Sequence, residues 1–138
     1  MIPMKKGSII LMASVAPVSN GIMPHAYKVS KHTMVVLTKN LCIELGASGT
    51  RVNCISPYGI VTPMVMGHLT MEASRVEELV YQSTNLKGTI WKANDIVEAP
   101  MYLASDESRY VSGINLVVDG GYSTTNPSIN MVLRDSVS

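Results

Sequence analysis

Residues 7–31 read GSIILMASVAPVSNGIMPHAYKVSK, and within them the spacing of apolar side chains changes once. Ser8 to Ala13 form a short apolar run behind a KKG turn signal, the pattern of a buried strand. Ser14 falls at its carboxyl end. From His25 onward Ala26, Val29, Met34, Leu37, Leu41 and Leu45 recur mostly at three- and four-residue steps, and Gly46 and Gly49 follow. That spacing predicts one long helix over 25–45 with a single buried stripe, closed by the glycines. Working outward, RVNCI (51–55) is strand-like and is stopped by Pro57. TMEASRVEELVYQ is a helical pattern opened by Thr70, and ANDIVEAPMYLAS is another, with Asn94 or Asp95 as its cap. GINLVVDGG then supplies a third apolar strand ended by two glycines. Strands separated by helices imply parallel pairing with crossovers, so the expected fold class is α/β with both faces of the sheet covered. The sequence holds no internal repeat and no low-complexity segment, and the stretch after 125 reads as an irregular tail.

The bulk composition narrows the function classes. A chain of 138 residues, 46% hydrophobic and 15% charged, is a globular composition with room for one core. A net charge of +1 without a run of lysine or arginine gives no footprint for nucleic acid or for an anionic membrane surface. The apolar stretches are too short to span a bilayer, and the first residues lack the pattern of a secretory signal, so a cytoplasmic location is the default expectation. Cys42 and Cys54 form no CxxC pair and no metal spacing with the three histidines; both are expected to be reduced core thiols, and no metal site is expected. Ten methionines and no phenylalanine suggest flexible thioethers as core filling.

In doubly wound sheets, ligands sit outside the carboxyl ends of the strands. Ser14 lies at one such end, Tyr27 begins the long helix thirteen residues later, and Lys31 follows one turn on. The four-residue spacing puts Tyr27 and Lys31 on one helix face, where an ammonium favours the phenolate. Such a tyrosine could exchange a proton near neutral pH while the Ser14 hydroxyl holds a substrate oxygen. The same spacing also fits a half-buried tyrosine and a solvated lysine with no chemistry between them. The loop after the second strand, SPYGIVT, is the other candidate.

The ordered set GSIILMAS, YKVSK, RVNCISPYGIVT and YVSGINLVVDGG resembles the short-chain dehydrogenase/reductase family over about residues 5–125. LCIELGASGTRVNCISPYGIVTP and ASDESRYVSGINLVVDGGYSTTNPS are similar to its plant secoisolariciresinol-dehydrogenase and xanthoxin-dehydrogenase-like branch. The resemblance implies a Rossmann-like doubly wound parallel sheet and an NAD or NADP cofactor, with NAD favoured by the branch. Tyr27 matches the family's catalytic acid/base, Lys31 the lysine that binds the nicotinamide ribose and tunes that tyrosine, and Ser14 the hydroxyl that orients the substrate oxygen. Pro57, Tyr58, Gly59, Ile60 and Thr62 match the cofactor loop, with Ile60 meeting the nicotinamide amide and Thr62 the diphosphate. The family's proline-glycine pair is here PYG, with Tyr58 in the glycine's place and Gly59 displaced by one. Met23, Met64 and Met66 are candidate substrate-binding residues, with Val65 and Leu69 in the same lid segment, whereas His25 is expected at the surface. A small hydrophobic alcohol or ketone is the implied substrate, and a homo-oligomer, dimer or tetramer, the implied assembly of a full-length member. Residues 1–125 are expected to be the C-terminal portion of a single such domain and 126–138 a tail, because the family's glycine-rich turn is not in this sequence. Two functions follow: an NAD(P)-dependent oxidoreductase acting on secondary alcohols and ketones, or a non-catalytic truncated remnant that partners a full-length member.

Overall fold

The computed structural model describes residues 1–19, 23–67 and 71–125. Strand β1, Gly7–Met12, pairs in parallel with β2, Thr50–Pro57, from Gly7 opposite Thr50 to Met12 opposite Ile55. On the far side of β2, strand β3, Asn115–Val118, pairs in parallel from Cys54 opposite Asn115 to Pro57 opposite Val118. The sheet order is β1-β2-β3, the parallel arrangement expected from strands separated by helices. Parallel neighbours need long crossovers. Helix α1, His25–Gly46, makes the first; α2 (Pro63–Met66), α3 (Ala73–Ser83) and α4 (Ala93–Ala104) make the second. Short 3-10 turns at Asp106–Ser108 and Tyr122–Thr124 flank β3. The tail 126–138, and Leu69 and Thr70, lie outside the described residues.

Strand β2 is the centre of the core, with Val52 through Ser56 all buried. Alternation sends Val52, Cys54 and Ser56 to one face and Arg51, Asn53 and Ile55 to the other. Cys54 lies against Thr38 of α1, and burial pushes its thiol up, so it stays a neutral core group, as expected. On the opposite face Arg51 reaches the end of α4, donating to Leu103 O and Ser108 Oγ at 2.8 Å and to Ser105 O at 3.0 Å. Ser8 Oγ of β1 donates to the same Leu103 carbonyl at 2.8 Å. The last carbonyls of a helix have no partner within it, and a guanidinium supplies both hydrogen bonds and the favourable charge.

Three expectations need correction. The buried stripe of α1 is carried by Tyr27, Lys31, Met34, Val35, Thr38, Leu41, Cys42 and Leu45, whereas Ala26, Val29 and Leu37 are exposed. Val29, Val36 and Ile43 form a second apolar line at seven-residue steps, 66%, 66% and 80% exposed, and the two lines overlap in the sequence pattern. Helix α4 is capped by Lys92, not by Asn94 or Asp95; the Asp95 carboxylate reaches back instead and accepts from Lys92 N at 2.7 Å. Nor do methionines fill the core: of the eight whose side chains are described, Met1, Met4, Met12, Met23, Met71 and Met101 are exposed, and Met34 and Met66 are half-buried. Small and β-branched side chains fill the space between closely packed layers. Replacing Arg51→Ala would remove three hydrogen bonds at the end of α4, leaving Leu103 O to Ser8 and Ser105 O to Ser108, and we expect urea unfolding to show a loss of about 3 kcal/mol. A loss below about 1 kcal/mol would refute that role for Arg51.

Candidate active site at the carboxyl end of the sheet

The β1–β2 ladder does not stop at Met12. Ala13 N donates to Ile55 O at 2.8 Å and Val15 N to Pro57 O at 3.0 Å, which carries Ser14 to the sheet end in register with the loop after β2. Ser14 is 7% exposed, and its Oγ accepts from Ala16 N at 3.2 Å, leaving the hydroxyl proton to be donated elsewhere. A tight turn follows, in which Val18 N and Ser19 N both donate to Val15 O at 2.9 and 3.0 Å. Lys28 Nζ donates to Ser19 O at 2.7 Å, so the first turn of α1 holds the serine loop in place. No motif in the sequence marks Lys28 for this role.

Tyr27 is half-buried on the sheet-facing side of α1. Lys31 Nζ lies 5.6 Å from the centre of the Tyr27 ring and donates to Met12 O at 3.2 Å. The ammonium is therefore fixed between the phenol-bearing ring and the strand end that leads to Ser14. That bond uses one of three N–H donors, so the lysine can serve ligand hydroxyls as well. Serine loop, tyrosine and lysine are thus assembled at one sheet end, as their spacing suggested.

Pro57, Gly59 and Ile60 are half-buried in the loop leaving β2. Thr62 caps α2 by accepting from Val65 N at 3.3 Å, with Pro63 at the first helical position. The Thr-Pro pair is a local helix-start signal that could have revealed α2 from sequence. Met64 and Met66 lie in α2, Met66 half-buried, while Met23 is exposed ahead of α1. His25 is exposed at the start of α1, in a shallow groove with Val29 and His32 on the helix's outer side, as a surface histidine should be.

Tyr58, expected in the cofactor loop at a position where the family has glycine, is the most connected side chain of the loop. Its ring stacks on Tyr122 with centroids 4.2 Å apart and planes at 27°. Its hydroxyl lies 2.8 Å from Ser83 Oγ, and Ser83 Oγ itself donates to Val80 O at 2.8 Å. Because serine has one hydroxyl proton, Tyr58 is the donor. Stack and hydrogen bond are each worth about 1 kcal/mol. Burial pushes the Tyr58 phenol up most; the Ser83 bond opposes this, and Tyr122 and Asp119 add to it. The unfolded tyrosine therefore releases its proton first, at its ordinary value of 10.0, while the folded one still holds it. Stability from this group is complete below that pH and is lost as pH rises beyond it. Tyr58→Phe should flatten the decline of urea midpoints above about pH 10 relative to the parent; an unchanged slope would contradict this.

Residues 1–123 match the family model described as enoyl-(acyl carrier protein) reductase. The chain is 48% identical over 138 residues to (+)-borneol dehydrogenase 2 of Salvia officinalis, covering 95% of this chain and 48% of that protein. It is 43% identical over 137 residues to xanthoxin dehydrogenase of Arabidopsis thaliana, covering 95% of this chain and 48% of the relative. Among solved structures, carveol dehydrogenase from Mycobacterium avium in complex with NAD superposes with a TM-score of 0.78 at 30% identity, over 90% of this chain and 49% of that one. The chain thus spans about half the length of the curated relatives it matches. With its parallel sheet, its serine, tyrosine and lysine at one sheet end, and these relatives, the chain belongs to the short-chain dehydrogenase/reductase family, alongside plant members such as xanthoxin dehydrogenase.

Proposed function

We propose that the protein is an NAD(P)-dependent oxidoreductase that interconverts a secondary alcohol and a ketone, with Tyr27 as the acid/base. The observation that carries this reading is the Lys31 ammonium, held between the Tyr27 ring at 5.6 Å and the Met12 carbonyl at 3.2 Å. A tyrosine beside a fixed ammonium can take a proton from an alcohol in one direction and give it to the ketone oxygen in the other. The Ser14 hydroxyl, already accepting from Ala16 N, has its own proton to offer a substrate oxygen. Lys28 and the Val15–Ser19 turn keep that serine in place.

The residues present suit a nicotinamide dinucleotide. Lys31 keeps donors for ribose hydroxyls, and Thr62, whose oxygen accepts from Val65 N, keeps its proton for a phosphate oxygen. When bound, that cofactor accepts or supplies the hydride. Pro57, Gly59 and Ile60 would shape the wall of its pocket. NAD is placed ahead of NADP on the likeness to the xanthoxin-dehydrogenase branch. A small hydrophobic substrate of terpenoid type is supported by the names of the borneol and carveol dehydrogenases to which this chain is similar, and we assign Met23, Met64 and Met66 to its pocket. The exposed line Val29, Val36 and Ile43 supports a homo-oligomer, since that much apolar surface favours further protein against it.

Tyr27→Phe in the full-length protein should lower kcat by about 10²–10⁴-fold, while dinucleotide binding changes far less. The assay is oxidation of borneol-like alcohols followed at the nicotinamide absorbance. Turnover retained within a few-fold of the parent would sink the assignment of Tyr27.

A further inference from the structure

The loop after β2 is tied down at three points, two of them through one side chain. Tyr58 N donates to Val118 O at 3.0 Å, its ring covers Tyr122, and its hydroxyl donates to Ser83, the last residue of α3. The Tyr122 side of this arrangement is fixed without help from Tyr58. The Asp119 carboxylate is buried and accepts from Gly121 N at 2.9 Å and Ser123 N at 2.8 Å, while Asn85 Nδ2 donates to Gly121 O at 3.0 Å. Asn85 N and Leu86 N both donate to Gly120 O at 3.0 Å, which joins the end of α3 to the same turn. A rigid anchor therefore meets a loop that has few ties of its own.

We propose that Tyr58 is a positioning residue, clamping the Pro57–Thr62 loop to the end of α3 and to the Tyr122 turn so that the loop is ordered before a nicotinamide dinucleotide binds. This rests on reading Pro57–Thr62 as the cofactor loop. Tyr58 acts through the loop and touches no reacting atom. A loop that must be ordered on binding lowers apparent affinity by the fraction of time it spends disordered, and a clamped loop escapes that loss. The bond has one direction, because the Ser83 proton is committed to Val80 O. Phenylalanine at 58 can therefore stack but cannot replace the donor.

The test uses the full-length protein, amide hydrogen exchange, and fluorescence titration with NADH and with NADPH. Ser83→Ala should speed exchange of the Tyr58 and Val65 amides about fivefold, leave the β1 amides unchanged, and raise the dissociation constant of the tighter dinucleotide about fivefold. Tyr58→Phe should reproduce both changes, and the double variant should add nothing, because each single change removes the same bond. Tyr122→Leu, which spares the bond and removes the stack, should loosen the same amides. Unchanged loop exchange, acceleration spread evenly over the chain, additive single effects, or a loosened loop with unchanged dinucleotide affinity would each overturn the proposal. A parent that binds neither dinucleotide overturns the cofactor reading and this proposal with it, and shows so before any variant is made. A parent that binds one but transfers no hydride refutes the oxidoreductase chemistry alone, and the titration still decides the clamp.

Discussion

Parallel pairing of β1 with β2 runs from Gly7 opposite Thr50 to Met12 opposite Ile55, then continues through Ala13 and Val15 to the carbonyls of Ile55 and Pro57. Those two additional bonds deliver the serine loop and the loop after β2 to the same carboxyl end of the sheet. Side chains alternate along a strand, so a slip of one residue would turn Ser14 to the other face and move the Met12 carbonyl away from Lys31. The paired register lies in the buried centre of the molecule: Val52 to Ile55 are fully enclosed, and Asn53 and Cys54 bond across to the segment leading into β3. The site therefore inherits its geometry from apolar packing a few residues away.

The two ends of the sheet are managed differently. At the amino end, Arg51 and Ser8 bind the last carbonyls of α4, closing the fold with hydrogen bonds. At the carboxyl end, several polar groups are only partly used: Ser14 and Thr62 accept from backbone amides and keep their protons, and Lys31 spends one donor of three. Partial satisfaction of this kind costs little where solvent or a ligand can reach the group, and much where it cannot. Its concentration at one end matches the placement rule for open α/β sheets.

Much of this was legible in the sequence. The apolar run at 8–13 and the three- and four-residue steps from 25 to 45 locate β1 and α1 within a residue or so, whereas spacing alone leaves Ser14, Tyr27 and Lys31 open and only the family resemblance singles them out. The buried face of α1 was misread because a second apolar line, Val29, Val36 and Ile43, runs beside the first, and periodicity cannot say which of two lines meets the sheet. The cap of α4 was misread because Lys92 acts through its backbone position while Asp95, the better capping residue, serves from inside the helix. The Tyr58 clamp left no local trace at all. Its partners lie on α3, 25 residues away, and in the turn beyond β3, and only tertiary packing brings them together.

The displacement of methionine to the surface changes what an oxidising environment would do to this molecule. Thioether sulfur is the first side-chain atom after the thiolate to take up oxygen from peroxide, and a sulfoxide in a packed interior swells and polarises it. Here Met1, Met4, Met12, Met23, Met71 and Met101 are exposed, whereas the described interior is built from valine, isoleucine, leucine, alanine and small polar residues, with Cys54 as its one fully buried sulfur, held as a neutral thiol. Oxygen would be taken up first at the periphery, by side chains whose conversion leaves the packing between sheet and helices undisturbed.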